Sequence, residues 1–162
     1  MNRENKNDIV NNLTEEFKTA GAIVVANYKG SSHRNLETLR VTASEADVKV
    51  RVAKNSLVGI ALKNAELPEL DLTQENIFIW AEDQIAACKI TDNFAKANKD
   101  TFIIKSGIIE GEIADLNKIM AFAKLPGREE LLGMLASVWM APVRNFTIGL
   151  DALKNKKEEE AA

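Results

Sequence analysis

An α/β fold is what this sequence predicts: a mixed sheet of about four strands flanked by helices, plus a long C-terminal helix. Two observations carry that expectation. Up to residue 124, short apolar runs of strand length alternate with stretches whose apolar residues recur every three or four positions. That alternation is the pattern of one sheet covered by helices. After Leu125-Pro126-Gly127 the helical pattern continues alone for about thirty residues. A hydrophobic share of 46% against 28% charged residues leaves enough apolar surface for a real core. Eight Gly and three Pro are too few for a many-turned all-β design.

The elements come in a clear order. Ile9, Val10, Leu13 and Phe17 keep helical spacing, and Gly21 stands where a helix C-cap is expected. Ala22 to Ala26 reads as a strand buried on both faces. Ser31 and Ser32 offer an N-cap to a second helix with the stripe Leu36, Leu39, Ala43 and Ala46. Val48, Val50 and Val52 alternate with Lys49 and Arg51, which predicts a half-buried strand with a basic outer face. Asn55 or Ser56 is expected to cap a third helix carrying Leu57, Val58, Ala61 and Leu62. Ile77 to Trp80 is a third strand, and Asp83 caps a fourth helix with Ala86, Ile90, Phe94 and Ala97 inward. Phe102-Ile103-Ile104 begins a fourth strand, and Gly107 and Gly111 punctuate the stretch after it. Leu116, Ile119, Met120 and Ala123 mark a short helix.

Leu125-Pro126-Gly127 is the clearest boundary, because Pro restrains the residue before it and Gly frees the one after. The expected organisation is an α/β domain over 1–124, a hinge over 125–127, a helix over 128–157 and a charged tail over 158–162. That last helix has an unusually wide apolar face, and Pro142 interrupts it, as a kink or as a join between two segments.

Several function classes are excluded. One cysteine, Cys88, allows no internal disulfide, and with His33 as the only histidine a structural zinc site of N/S ligands is ruled out. Neither glycine-rich nucleotide-cradling motif occurs, and no carboxylate spacing singles out an acid–base pair. His33 beside Ser31 and Ser32 suits a phosphate-facing loop better than a nucleophile–base pair. No enzyme, cofactor or metal is expected. The N-terminus lacks a signal-peptide apolar region, and no unbroken apolar run approaches the roughly 20 residues that span a bilayer, so the expected location is the cytosol.

The net charge of −3 is uneven: residues 27–56 hold six Lys and Arg against three Asp and Glu. Lys29, Gly30, Ser31, Ser32, His33 and Arg34, followed by Arg40, and then Arg51, Lys54, Asn55 and Ser56, place basic, hydroxyl and amide residues where strands hand over to helices. Such turns point free backbone N–H groups outward, and the helix dipole favours phosphate there. If the two turns share one sheet edge they form one patch. Plain helix capping by Ser31, Ser32, Asn55 and Ser56 explains the same residues, and the segment alone does not separate the two. Tyr28 is the only aromatic nearby, so base stacking is not expected and a folded RNA would be read by shape and backbone.

These residues also carry a resemblance. Tyr28-Lys29-Gly30 through Leu36 and Leu39-Arg40, then Val50 to Leu57 and Ala61, resemble the bacterial ribosomal stalk-base family, the tenth large-subunit protein (L ten). Phe94 to Asn98, Gly107 with Glu110-Gly111-Glu112, and Leu125 to Leu131 fit the same family in order. The resemblance implies an α/β domain on large-subunit ribosomal RNA beside a neighbouring ribosomal protein of the L eleven type. It further implies a C-terminal helix for dimers of the acidic stalk protein (L seven/L twelve type), two dimers here, which recruit translation GTPases. Leu131, Leu135, Val138, Trp139, Val143, Phe146, Leu150 and Leu153 would be the docking residues, and repression of its own messenger is a further family trait. The rival readings are a non-ribosomal RNA-binding module, a pure protein-interaction adaptor, and a last helix packed back on the domain as ordinary core.

Overall fold

The computed structural model describes residues 3–99 and 101–160, so Met1, Asn2 and the end of the charged tail at 161–162 lie outside the described residues. The chain forms two compact units, residues 1–125 and 126–162. In the first, the order is α1 (Arg3–Thr19), β1 (Ala22–Asn27), α2 (His33–Glu45), β2 (Lys49–Val52), α3 (Asn55–Asn64), β3 (Asn76–Ala81), α4 (Gln84–Ala97), β4 (Ile103–Ile109), β5 (Glu112–Ala114) and α5 (Leu116–Ala123). The second is a single helix, α6 (Arg128–Glu160).

The strands lie in the order β2-β3-β1-β4-β5, and every pairing is antiparallel. The sequence predicts a mixed sheet of about four strands; the class holds, with a short fifth strand added and every pairing antiparallel rather than mixed. β1 and β2 do run the same way, joined through α2, yet β3 fills the slot between them. β1 likewise separates β3 from β4. Each crossover helix therefore skips one position, the split β-α-β arrangement. Alternating strands and helices in a sequence do not say whether two co-directional strands are neighbours. The fifth strand comes after a two-residue turn at Glu110 and Gly111, both at positive φ (57° and 80°), the conformation of a tight hairpin.

The strands alternate as a two-sided sheet requires. Ala22, Val24 and Ala26 of β1 pack with Ile77, Ile79 and Ala81 of β3 under α2, α4 and α5. Ile23 and Val25 pack with Phe78 and Trp80 under α1 and α3, where Phe17 meets Trp80 edge-on. β1 is thus buried on both faces, as expected. Gly21 is not a left-handed cap. Its N–H donates to Ala81 O at 2.9 Å, and a Cβ there would stand 2.3 Å from Glu82 O. Close approach of backbone, rather than positive φ, requires glycine at this position.

Helix α3 starts one residue earlier than capping by Asn55 or Ser56 would allow: Lys54 holds the N-cap position and Asn55 is already helical. Ser32 and Asp83 cap α2 and α4 as expected, accepting from Asn35 N and Ile85 N. Helix α6 is unbroken across Pro142 and reaches Glu160, three residues beyond the expected end.

Candidate nucleic-acid interface and docking helix

Because β1 and β2 run the same way, both emerge at one end of the sheet, where β3 and β4 begin. The turns after β1 and β2, and the N-termini of α2 and α3, are therefore gathered there. Lys29, Gly30, Ser31, Ser32, His33 and Arg34 come from the first turn, and Lys54, Asn55 and Ser56 from the second. Tyr28, Lys54, Asn55 and Gln74 line one shallow cavity of ≈ 430 Å³ between them. Lys29, His33, Arg34, Lys54 and Ser56 are exposed. Arg51 is exposed on edge strand β2, in register with Phe78 and hence on the α1/α3 side. Its neighbour on that face, Lys49, pairs with Glu16 at 2.9 Å. Arg40 is not brought to the two turns. It lies along α2 beside Ser44, Asp47 and Val48, in a separate depression towards the other end.

The two helix starts differ chemically. At α2 the Ser32 hydroxyl already accepts from Asn35 N. The Ser31 hydroxyl faces Thr101 Oγ1 at 3.3 Å, and Asn35 Nδ2 donates to Asn98 Oδ1 at 2.9 Å. At α3 the N-cap is Lys54, which supplies no side-chain cap, while Leu57 N and Val58 N are satisfied by Lys54 O. The opening amides of α3 thus stand beside a lysine with no side-chain acceptor of their own, an arrangement suited to an anion. Asn55 is spoken for: its Nδ2 donates to Leu72 O and Gln74 O at 3.0 and 2.8 Å, and its Oδ1 accepts from Asn76 Nδ2 at 3.1 Å. Ser31, Ser32 and Asn55 therefore do structural work in this fold. Asn27, Gln74, Asn76 and Lys105, which hold the same end together, carry no local sequence signal.

Nothing here supports catalysis. Among the described residues no group of three or more His, Cys, Asp and Glu could hold a metal ion. Cys88 is buried, and burial, reinforced by the Asp83 carboxylate, pushes its thiol up to about 11. A larger cavity, ≈ 530 Å³, lies at the other end of the sheet, lined by Glu16, Asp47, Glu82 and Asp83 with a single lysine. Its charge has the wrong sign for phosphate.

On α6 the large apolar side chains Leu131, Leu135, Val138, Trp139, Val143, Phe146, Leu150 and Leu153 are between 38% and 73% exposed. Exposed apolar surface of that kind is found at protein and membrane interaction sites, and without a partner it is an aggregation hazard. By length and composition the stretch Glu129–Lys157 would also suffice to cross a membrane. The expectation that no segment reaches spanning length rested on unbroken apolar runs, and here single polar residues interrupt a stretch that is apolar on average. Arg144 stands inside it, and a central arginine costs about 2.5–3.5 kcal/mol or more in a bilayer.

Comparison with known proteins places the chain. Residues 1–96 match the family model of Ribosomal protein L10, and residues 125–161 match the Ribosomal protein uL10 C-terminal region. The chain is 64% identical over its full 162 residues to the large ribosomal subunit protein uL10 of Aliarcobacter butzleri (strain RM4018), covering 100% of both chains. Identity is 52% to that of Sulfurovum sp. (strain NBC37-1) and 49% to that of Campylobacter fetus subsp. fetus (strain 82-40), each over 99% of this chain and 100% of the relative. The class so defined is a structural protein of the large ribosomal subunit, ribosome-associated in the cytoplasm and not an enzyme. Within that class, the chain belongs to the uL10 family.

Proposed function

We propose that the α/β unit binds large-subunit ribosomal RNA at the basic end of its sheet, and that α6 tethers dimers of the acidic stalk protein. One observation carries the first half: Lys29, His33, Arg34 and Lys54, from two segments of the chain, are gathered at one end beside the uncapped start of α3. Cations and free amides hold phosphates there, without aromatics to stack bases, which suits a folded RNA read by shape. The same face would serve a structured segment of the protein's own messenger. A neighbour of the L eleven type would share the RNA platform.

For the second half, two apolar blocks of α6, Leu131 to Met140 and Val143 to Leu153, flank Ala141-Pro142. Each runs roughly 15 Å along the helix, the length of one docking segment in the family, and no apolar anchor comes after Leu153. Two dimers fit. Holding them at the stalk base would supply the tether through which translation GTPases are recruited. The tests are separate. Charge reversal at Lys54 and Arg51 together should weaken binding to large-subunit ribosomal RNA and make its salt dependence shallower; unchanged affinity at low and moderate salt removes this end from the RNA contact. Native mass spectrometry of the co-expressed complex should give four stalk chains per chain, and two or six would mean the segments are miscounted.

A further inference from the structure

We infer that Lys105 is a positioning residue for the RNA-facing end: it anchors a chain of amide hydrogen bonds that braces both basic turns. The inference rests on the RNA reading above and deepens it. It starts from an irregularity in the sheet. Val25 pairs with Ser106 but Ala26 pairs with Ile104, so Lys105 is an extra residue in β4. Bulges of this kind re-aim side chains. Here the extra residue lets Phe102 and Ile104 join the core under α2, α4 and α5. Lys105 itself reaches across to the start of β3.

From there the brace can be traced atom by atom. Lys105 Nζ donates to Thr73 O and, at 3.0 Å, to Asn76 Oδ1. Asn76 is 2% exposed, and its Nδ2 donates to Asn55 Oδ1 at 3.1 Å. Asn55, the first residue of α3, donates to Gln74 O at 2.8 Å. Gln74 holds a left-handed backbone, φ 64°, and its Oε1 accepts from Asn27 Nδ2 at 3.0 Å. Asn27 Oδ1 in turn accepts from the Lys29 N–H at 2.9 Å. The turn bearing Lys29 and the turn bearing Lys54 are therefore cross-linked through Gln74, and the ammonium at Lys105 fixes the far end. A charge-assisted bond suits that role because it is stronger than a neutral one, and because losing it would leave a buried amide oxygen without its donor. Lys105 is half-buried with two acceptors in hand, unlike Lys29 and Lys54, which are exposed.

Positioning and direct phosphate contact are separable by salt dependence. The full-length Lys105→Met chain should bind large-subunit ribosomal RNA about tenfold more weakly, at a temperature where it remains folded, with the slope of log K against log salt unchanged. Lys54→Met should instead reduce the slope by about 0.7–0.9, the signature of one lost phosphate contact. Amide exchange over residues 67–75 should quicken in Lys105→Met while the β1 and β3 amides keep their protection. Should Lys105→Met not fold, Asn55→Ala cuts the same brace and must give the same two readouts. Unchanged affinity, unchanged exchange, or a slope reduced as in Lys54→Met overturns the inference alone. If neither Lys29→Met nor Lys54→Met alters binding, the RNA reading falls and takes the inference with it.

Discussion

Gly107 has no room for a side chain. A Cβ there would stand 2.6 Å from Ile23 O and 3.4 Å from Val24 Cα, both backbone of the adjoining strand β1. Neither atom can give way without breaking the β1–β4 pairing, so Gly107→Ala should lower the unfolding free energy by about 1–3 kcal/mol. Gly59, inside α3, has nothing within 4 Å of the same position. There Gly→Ala only improves helix propensity, and a gain of about 0.5–1 kcal/mol is expected. Denaturant unfolding of the two variants should give opposite signs; like signs would mean that the space around each glycine is not what decides. The sequence marks both as glycines; only the neighbours distinguish them. The same is true of Asn55, whose residue type fits a phosphate contact and whose side chain is committed internally.

At the scale of elements, α6 tolerates a proline in its interior. Pro142 offers no N–H to the turn before it, and its ring crowds that turn, a cost of about 3 kcal/mol in a helix. Pro142→Ala should therefore raise the helix content and thermal midpoint of the separate 126–162 segment, read by far-ultraviolet circular dichroism. An unchanged spectrum would mean that the helix is already limited elsewhere. The edge strand β2 illustrates a different constraint. Lys49 and Arg51 are exposed on this edge strand, and charge on an edge discourages pairing with another chain.

At the scale of the whole molecule, the first unit has its own core: among the described residues, both clusters are built from residues between Ile9 and Ala123. A chain ending at residue 127 should fold, keep its RNA affinity, and melt within a few degrees of the full chain. A cooperative transition at much lower temperature would favour the rival in which the last helix is ordinary core. With its apolar side chains exposed and no stalk partner, the full chain should in contrast be the less soluble of the two.

The sequence by itself determined every helix and the first four strands, though not the short β5, together with the apolar character of the last helix and the two turns that carry the basic residues. Each of these is written in periods of two or 3.6 residues, or in adjacent turn residues, so neighbours along the chain suffice to read it. Tertiary structure decided the strand order, the antiparallel pairing and the role of each polar side chain at the basic end. Lys105 meets Asn76 across 29 positions, and Asn27 meets Gln74 across 47. Contacts at such separations exist only once β1 lies between β3 and β4, and local spacing does not encode that placement. Residues of identical type, such as exposed Lys54 and half-buried Lys105, therefore part company only when the sheet is assembled.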